Sequence, residues 1–366
     1  MLGASRDLRV AFVVDACLED HGGVQSHVRN SLHALKDIPR VDARVFSPPT
    51  SSGWLSNARY LGVSYNGSRF RIPIGGSVKS VLSDLADFAP DVIEFGFPIN
   101  PWFGSRVWRD HSGAARVLIS HHTPDAGWKR TFELMVLRFL TPKLGAHDQQ
   151  FAVGLEGGWF MEAVTRRPTP LQFPVLVEPQ DQERLPSYKA RTVDFALLGP
   201  FVPRKNHDFA VRALETLAQT ARRSFSVVTI GDGPTYPSLM ARLHHAEGLC
   251  LVGSLRHPSN DQRDSVLQDA KFALFPSRFG EGFGIALHEA AALGTVVLAN
   301  NLPAYEAWLP ASSICRADEQ SWVERMRRLV ENDELARCAG SACHSSAVHA
   351  FRASRGQLFS RIGLAA

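Results

Sequence analysis

From Leu8 to Ala299 the chain alternates short apolar runs with longer amphipathic stretches, in two series separated by a Pro-rich break. Strands joined through helices pair in parallel, because the helix must cross over one face of the sheet, so the alternation confines the chain to α/β folds built on parallel sheets. In the first half, Leu8–Val14, Ala43–Phe46, Val92–Phe95 and Arg116–Ile119 read as strands, with helical patterns over Val24–Leu35 and Val78–Phe88. The second half restarts with predicted strands at Phe195–Leu198, Ser226–Ile230, Cys250–Val252, Lys271–Phe275 and Val296–Ala299. Helices are expected there over His207–Arg222, over Tyr236–Glu247 and from Ile285 onward. Thr165–Ala190 is rich in Pro, Gln and charge and reads as an interdomain linker, while Cys338–Ile362 has helical composition. The expected fold class is therefore α/β, with two doubly wound Rossmann-like domains facing a central cleft. The boundaries read as 1–175, a linker at 176–190, 191–345, and a closing segment at 346–366.

The chain of 366 residues is long enough for two or three domains, and 45% hydrophobic with 21% charged residues describes a globular protein. A net charge of +4 without a Lys/Arg block gives no support to nucleic-acid binding. Five cysteines without a CxxC spacing read as reduced thiols rather than as a zinc site. No apolar stretch reaches membrane-spanning length, and the N-terminus runs from charged residues straight into a strand without a signal peptide, so the expectation is a cytoplasmic protein, soluble or peripheral at the inner face of the membrane. A dinucleotide-binding dehydrogenase is disfavoured, because the first strand leads into DACLEDHGGVQSH, which has no GxGxxG.

The richest motif is FPSRFGEGFGIALHEAAALG, where Glu281 and Glu289, with seven residues between them, bracket a Gly-Phe-Gly turn that opens a helix. Ligands of open parallel sheets sit at strand C-termini, and a helix N-terminus favours a diphosphate. Glu281 would reach the hydroxyls of a transferred sugar, Glu289 those of a ribose, and the backbone at Phe283-Gly284 the phosphates. The blander alternative has Glu281 complementing the helix dipole and Glu289 solvated. Gly22 and Gly23 lie where the first strand's loop meets its helix and would let backbone close on a phosphate or sugar. His121 and His122 follow the strand ending at Ile119, where either would donate to a sugar hydroxyl or a phosphate; surface polarity is the plainer account. Arg204 and Lys205 follow the first strand of the second half and would bind a diphosphate. Gly231, in Ile230-Gly231-Asp232-Gly233-Pro234, reads as a tight turn beside a nucleotide.

Taken together, these segments resemble the retaining GT-B glycosyltransferases of the family 4 type, with GGVQSHV most similar to phosphatidylinositol mannosyltransferase-like enzymes. The resemblance runs from about Val10 to Leu309 and implies a Glu-x7-Glu donor site at Glu281 and Glu289. It assigns donor-sugar contact to His122, which precedes Thr123, and diphosphate contact to Lys205. Pro200 stands where the family has an arginine and Asn206 where it has a glycine, and Arg204 is the residue able to compensate. The implied reaction is metal-independent transfer of a hexose, mannose ahead of others, from GDP-mannose or a UDP-sugar to a lipid, glycan or small-molecule acceptor. No cofactor beyond the donor and no metal ligands are implied. Trp128–Leu140, apolar with cationic residues, is either a membrane-surface or acceptor-binding helix or a buried one. A partner-dependent or non-catalytic nucleotide-sugar-binding protein and a GT-B epimerase or phosphorylase are the alternatives.

Overall fold

The computed structural model describes residues 7–14, 23–47, 59–65, 68–74, 79–97, 103–111, 113–121 and 128–364. The chain forms two compact units, Met1–Leu176 with Ala353–Ala366, and Val177–Arg352.

The first unit contains β1 (Leu8–Val13), β2 (Val41–Phe46), β3 (Arg59–Tyr65), β4 (Ser68–Ile74), β5 (Val92–Phe97), β6 (Ala115–Ser120) and β7 (Gln149–Ala152). Its helices are α1 (Gly23–Leu35), α2 (Lys79–Phe88), α3 (Gly104–Asp110), α4 (Trp128–Leu140) and α5 (Leu155–Thr165). A parallel sheet in the order β2-β1-β5-β6-β7 forms the centre, and β3 and β4 pair separately as an antiparallel hairpin. The central strands are apolar on both faces because helices cover both, as parallel sheets require. Glu94 breaks that pattern in β5, in register with Phe12 on one side and Val117 on the other.

The sequence reading omits β3, β4, β7, α3 and α5. The cause is plain for β7: in QQFA only two residues are apolar, and Gln150 is held by the carbonyls of Arg167 and Pro168 and by the Thr169 hydroxyl. The expected linker is also docked over much of its length. The Gln172 N–H donates to the Ala152 carbonyl, that of Phe173 to Gln357 Oε1 and that of Val175 to His27 Nδ1. The helix α4 is not buried throughout. Leu137 faces the core, while Phe132 is 57% exposed, Met135 63% and Phe139 89%.

The second unit contains β8 (Val193–Leu198), β9 (Phe225–Ile230), β10 (Leu249–Leu255), β11 (Ala270–Phe275), β12 (Val296–Asn300) and β13 (Ile314–Cys315). Its helices are α6 (His207–Ala221), α7 (Tyr236–His245), α8 (Asn260–Asp269), α9 (Ile285–Ala292), α10 (Pro303–Glu306), α11 (Glu319–Val330) and α12 (Asp333–Arg361), the last continuing into the first unit. All strands are parallel, in the order β10-β9-β8-β11-β12-β13. Stacked Phe195 and Phe272, with Phe225 edge-on to Phe195, anchor the core. The strand order reverses between β8 and β11, so the loops leaving these two strands diverge to opposite faces and open a crevice at their C-terminal ends.

Candidate active site

The crevice of the second unit is where Arg204, Lys205 and Glu281 meet. Pro203–Lys205 forms a 3-10 turn after β8, closed by Asn206 at φ 57. The turn needs a residue in the left-handed region, which asparagine tolerates better than other non-glycine residues. The turn swings Arg204 and Lys205 toward the loop after β11, and the Arg278 N–H donates to the Arg204 carbonyl at 2.9 Å. Arg204 Nη1 lies 2.6 Å and Lys205 Nζ 2.8 Å from the same Glu281 Oε1. The Glu281 side chain is 7% exposed and that of Lys205 9%. Arg204 thus points inward, from the same loop as Pro200.

Burial pushes the Glu281 carboxyl up, but Lys205 and Arg204, with hydrogen bonds from Lys205 and the Ser277 hydroxyl, outweigh it and hold the group below its ordinary value. Burial lowers Lys205 despite the attraction of Glu281. Tyr305, fully buried, donates from its hydroxyl to Ser277 Oγ at 3.2 Å, and burial drives its own pKa well up. Two cations around one carboxylate give this trio a net charge of +1, an arrangement that suits an anionic ligand.

The neighbouring glycines are there for close approach. At φ +134, a Cβ on Gly231 would lie 2.1 Å from the Gly199 carbonyl oxygen, so the β9 loop packs backbone to backbone on the β8 loop. Gly284, the N-cap of α9, has φ +91, and a Cβ there would lie 2.8 Å from both Leu287 Cδ1 and Tyr305 Cε1. Phe283 is not presented to a ligand by its side chain. Its ring is buried and stacked on Trp308 at 5.2 Å, and Trp308 Nε1 donates to its carbonyl. Glu289, on α9, receives a hydrogen bond from Arg263 Nη1 at 2.8 Å, and Arg263 also pairs with Asp264 at 2.7 Å. Arg263 is absent from the sequence reading, because α8, NDQRDSVLQD, has too little apolar content to show a helical period. Its start is set by a capping box, Ser259 with Gln262, and that S-x-x-Q is the signal that marks it.

In the first unit, Gly22 and His122 lie outside the described residues. Gly23 opens α1, and a Cβ there would meet nothing within 4 Å. His121 follows β6, its ring centroid 4.7 Å from that of His27 and its Nε2 buried without a hydrogen-bond partner among the described residues. Burial holds it neutral, well below the usual histidine range. His27 accepts from the Val175 N–H on Nδ1, so its Nε2 carries the proton that it shares with Glu94 Oε1 at 2.8 Å. Arg361, at the end of α12, donates from Nε to Glu94 Oε2 at 2.7 Å. Arg361, Glu94 and His27 are all buried, and no sequence motif connects them. Among the described residues no helix is long and apolar enough to cross a membrane.

Residues 192–332, the greater part of the second unit, match the family model described as glycosyl transferases group 1. The chain is 26% identical over 363 residues to a phosphatidyl-myo-inositol mannosyltransferase of Mycolicibacterium smegmatis, covering 94% of this chain and 90% of that protein. It is 25% identical over 309 residues to the one from Mycobacterium tuberculosis, covering 81% and 79%. Among solved structures it resembles a sucrose-phosphate synthase from Thermosynechococcus elongatus, with TM-score 0.68, 17% identity, and 97% and 99% of the two chains covered. It also resembles Anabaena Alr3699/HepE in complex with UDP-glucose, with TM-score 0.62, 13% identity, and 97% and 98% covered.

Proposed function

We propose that this GT-B glycosyltransferase, of group 1 by its second unit, moves a hexose from a nucleoside-diphosphate sugar to a lipid, glycan or small-molecule acceptor with retention at the anomeric carbon. The observation that carries the reading is the Glu281 carboxylate held by Arg204 and Lys205 at the strand-order reversal of the second unit. Before donor arrives, the two cations neutralise a buried carboxylate. A bound diphosphate draws their charge to itself and leaves Glu281 to accept sugar hydroxyls, with the α9 N-terminus adding positive potential. As the bond from the anomeric carbon to the diphosphate breaks, Arg204 and Lys205 stabilise the charge on the departing oxygen, so the chemistry asks for no metal ion or cofactor beyond the donor. The acceptor hydroxyl bonds to the same carbon from the leaving-group face, and its proton passes to the departing phosphate oxygen. Gly231 and Gly284 keep the loops close enough to line the donor. Gly22, Gly23 and His122 belong to the reading through their place in the sequence and the family resemblance.

The mannosyltransferase relatives favour mannose and a phosphatidylinositol acceptor, and the structural neighbour carries UDP-glucose, so GDP-mannose and a UDP-sugar are the donors to try first. Exposed Phe132, Met135 and Phe139 on α4 support peripheral contact with a membrane that presents the acceptor. The test is calorimetric titration with GDP, UDP and ADP, followed by turnover of the matching sugar nucleotides with and without phosphatidylinositol vesicles. One nucleotide should bind, Lys205→Met should weaken it, and sugar release from the donor should need an acceptor. Binding of none of the three overturns the reading. Turnover without acceptor would indicate an epimerase, and binding without turnover a partner-dependent binder.

A further inference from the structure

Glu289 and its surroundings form a second charged trio in the same unit, opposite in sign to the first. Arg263 Nη1 donates to Glu289 Oε1 at 2.8 Å, while its Nη2 lies 2.7 Å and its Nε 2.8 Å from Asp264 Oδ1. The Arg263 side chain is 15% exposed and that of Glu289 13%. One cation between two carboxylates leaves a net charge of −1, where Arg204, Lys205 and Glu281 leave +1. The positive trio suits a diphosphate. A carboxylate such as Glu289 suits a neutral diol, whose hydroxyls donate to carboxylate oxygens. A glutamate that recognises a vicinal diol must stay ionised and keep one rotamer although partly desolvated, and a guanidinium fixed from its other edge supplies both conditions. The capping box at Ser259 fixes where α8 begins, and so where Arg263 projects one turn later.

We propose that Arg263 is a positioning residue for Glu289 and, through it, sets selectivity for a ribonucleotide over a 2′-deoxyribonucleotide donor. This rests on the reading of the second unit as the donor-nucleotide domain. The experiment measures dissociation constants of the preferred nucleoside diphosphate and its 2′-deoxy analogue, by calorimetry, on the wild type, Arg263→Met and Arg263→Lys. The wild type should favour the ribonucleotide by roughly ten- to a hundredfold, the effect of losing a hydrogen bond to a charged group. Arg263→Met should lose most of that preference by weakening ribonucleotide binding while 2′-deoxy binding stays the same, and Arg263→Lys should keep part of it. A general loss of structure would weaken both nucleotides alike, so equal weakening of the two, or an unchanged ratio, overturns the inference. If Arg263→Met does not fold, the ratio in Arg263→Lys decides, and a wild-type ratio there overturns it. A wild type that binds the nucleotide without discriminating against the 2′-deoxy form removes the ribose role of Glu289 and the inference with it. A wild type that binds no nucleotide overturns the donor-domain reading itself.

Discussion

Asn206 shows how a single backbone angle constrains the Arg204–Lys205–Glu281 cluster. With φ 57 it closes the turn that carries Arg204 and Lys205, and asparagine tolerates that region better than any residue but glycine. Asn206→Ala should destabilise the protein by about 1 kcal/mol in urea unfolding and Asn206→Gly by less, because alanine carries the Cβ penalty without a compensating polar group. Glu281→Gln should cut transfer by on the order of 10²–10³-fold, the effect seen when one preorganised electrostatic group is removed. Its nucleotide affinity should be unchanged or tighter, because Arg204 and Lys205 lose a competing anion; turnover kinetics and calorimetry check the two halves separately. That Arg204 and Lys205 on one side and Glu281 on the other belong to one crevice was legible in the sequence, because the two motifs each follow a strand of the second half. The direction of Arg204 was not, since it depends on the 3-10 turn. Nor were the pairs of Arg263 with Glu289 and of Arg361 with Glu94, whose members are 26 and 267 positions apart and belong to no shared motif.

Elements were legible in proportion to their apolar content. The strands β1, β5, β8, β9, β11 and β12 are mostly apolar, each with only one or two polar residues, and announce themselves. By contrast β7 and α8 are polar and are held by side-chain hydrogen bonds and a capping box. The sequence leaves the helix α4 open between a surface and a buried helix, because an apolar composition does not say which side is covered. With Phe132, Met135 and Phe139 outward, substituting all three with serine should lower binding to phosphatidylinositol vesicles at least tenfold, since each buried side chain contributes about 1.5–3 kcal/mol. Sedimentation with vesicles measures it, and an unchanged melting temperature shows that the core is intact. At the end of α12, Arg361→Met strands the Glu94 carboxylate in the β5 core and should cost about 3–5 kcal/mol, read by urea unfolding. Adding Glu94→Leu should restore part of that loss, because the pair is then removed as a unit.

For the molecule as a whole, buried titratable groups predict sensitivity to acid. Burial holds His207 and His288 at about 4, against 6.5 for an unperturbed histidine. Both are neutral in the folded protein, so between pH 6.5 and 4 the unfolded chain binds more protons and stability falls as pH drops, each group contributing on the order of 3 kcal/mol. Burial alone would raise Glu94, but Arg361 and His27 hold it at about 2. Its contribution is present above pH 4.5 and is lost as pH falls through 2. Urea midpoints should therefore begin to fall near pH 6, and His288→Gln should flatten the decline; a midpoint constant from pH 7 to 4.5 would contradict it. The first unit is also written in two pieces, with the whole of Val177–Arg352 between Leu176 and Ala353. Synthesis runs in that order, so the β5 carboxylate waits without its guanidinium until α12 has been made. The half of the protein that begins first is thus the half that matures last, and a chain stopped before Ala353 would expose it to proteases and chaperones with its central anion unpaired.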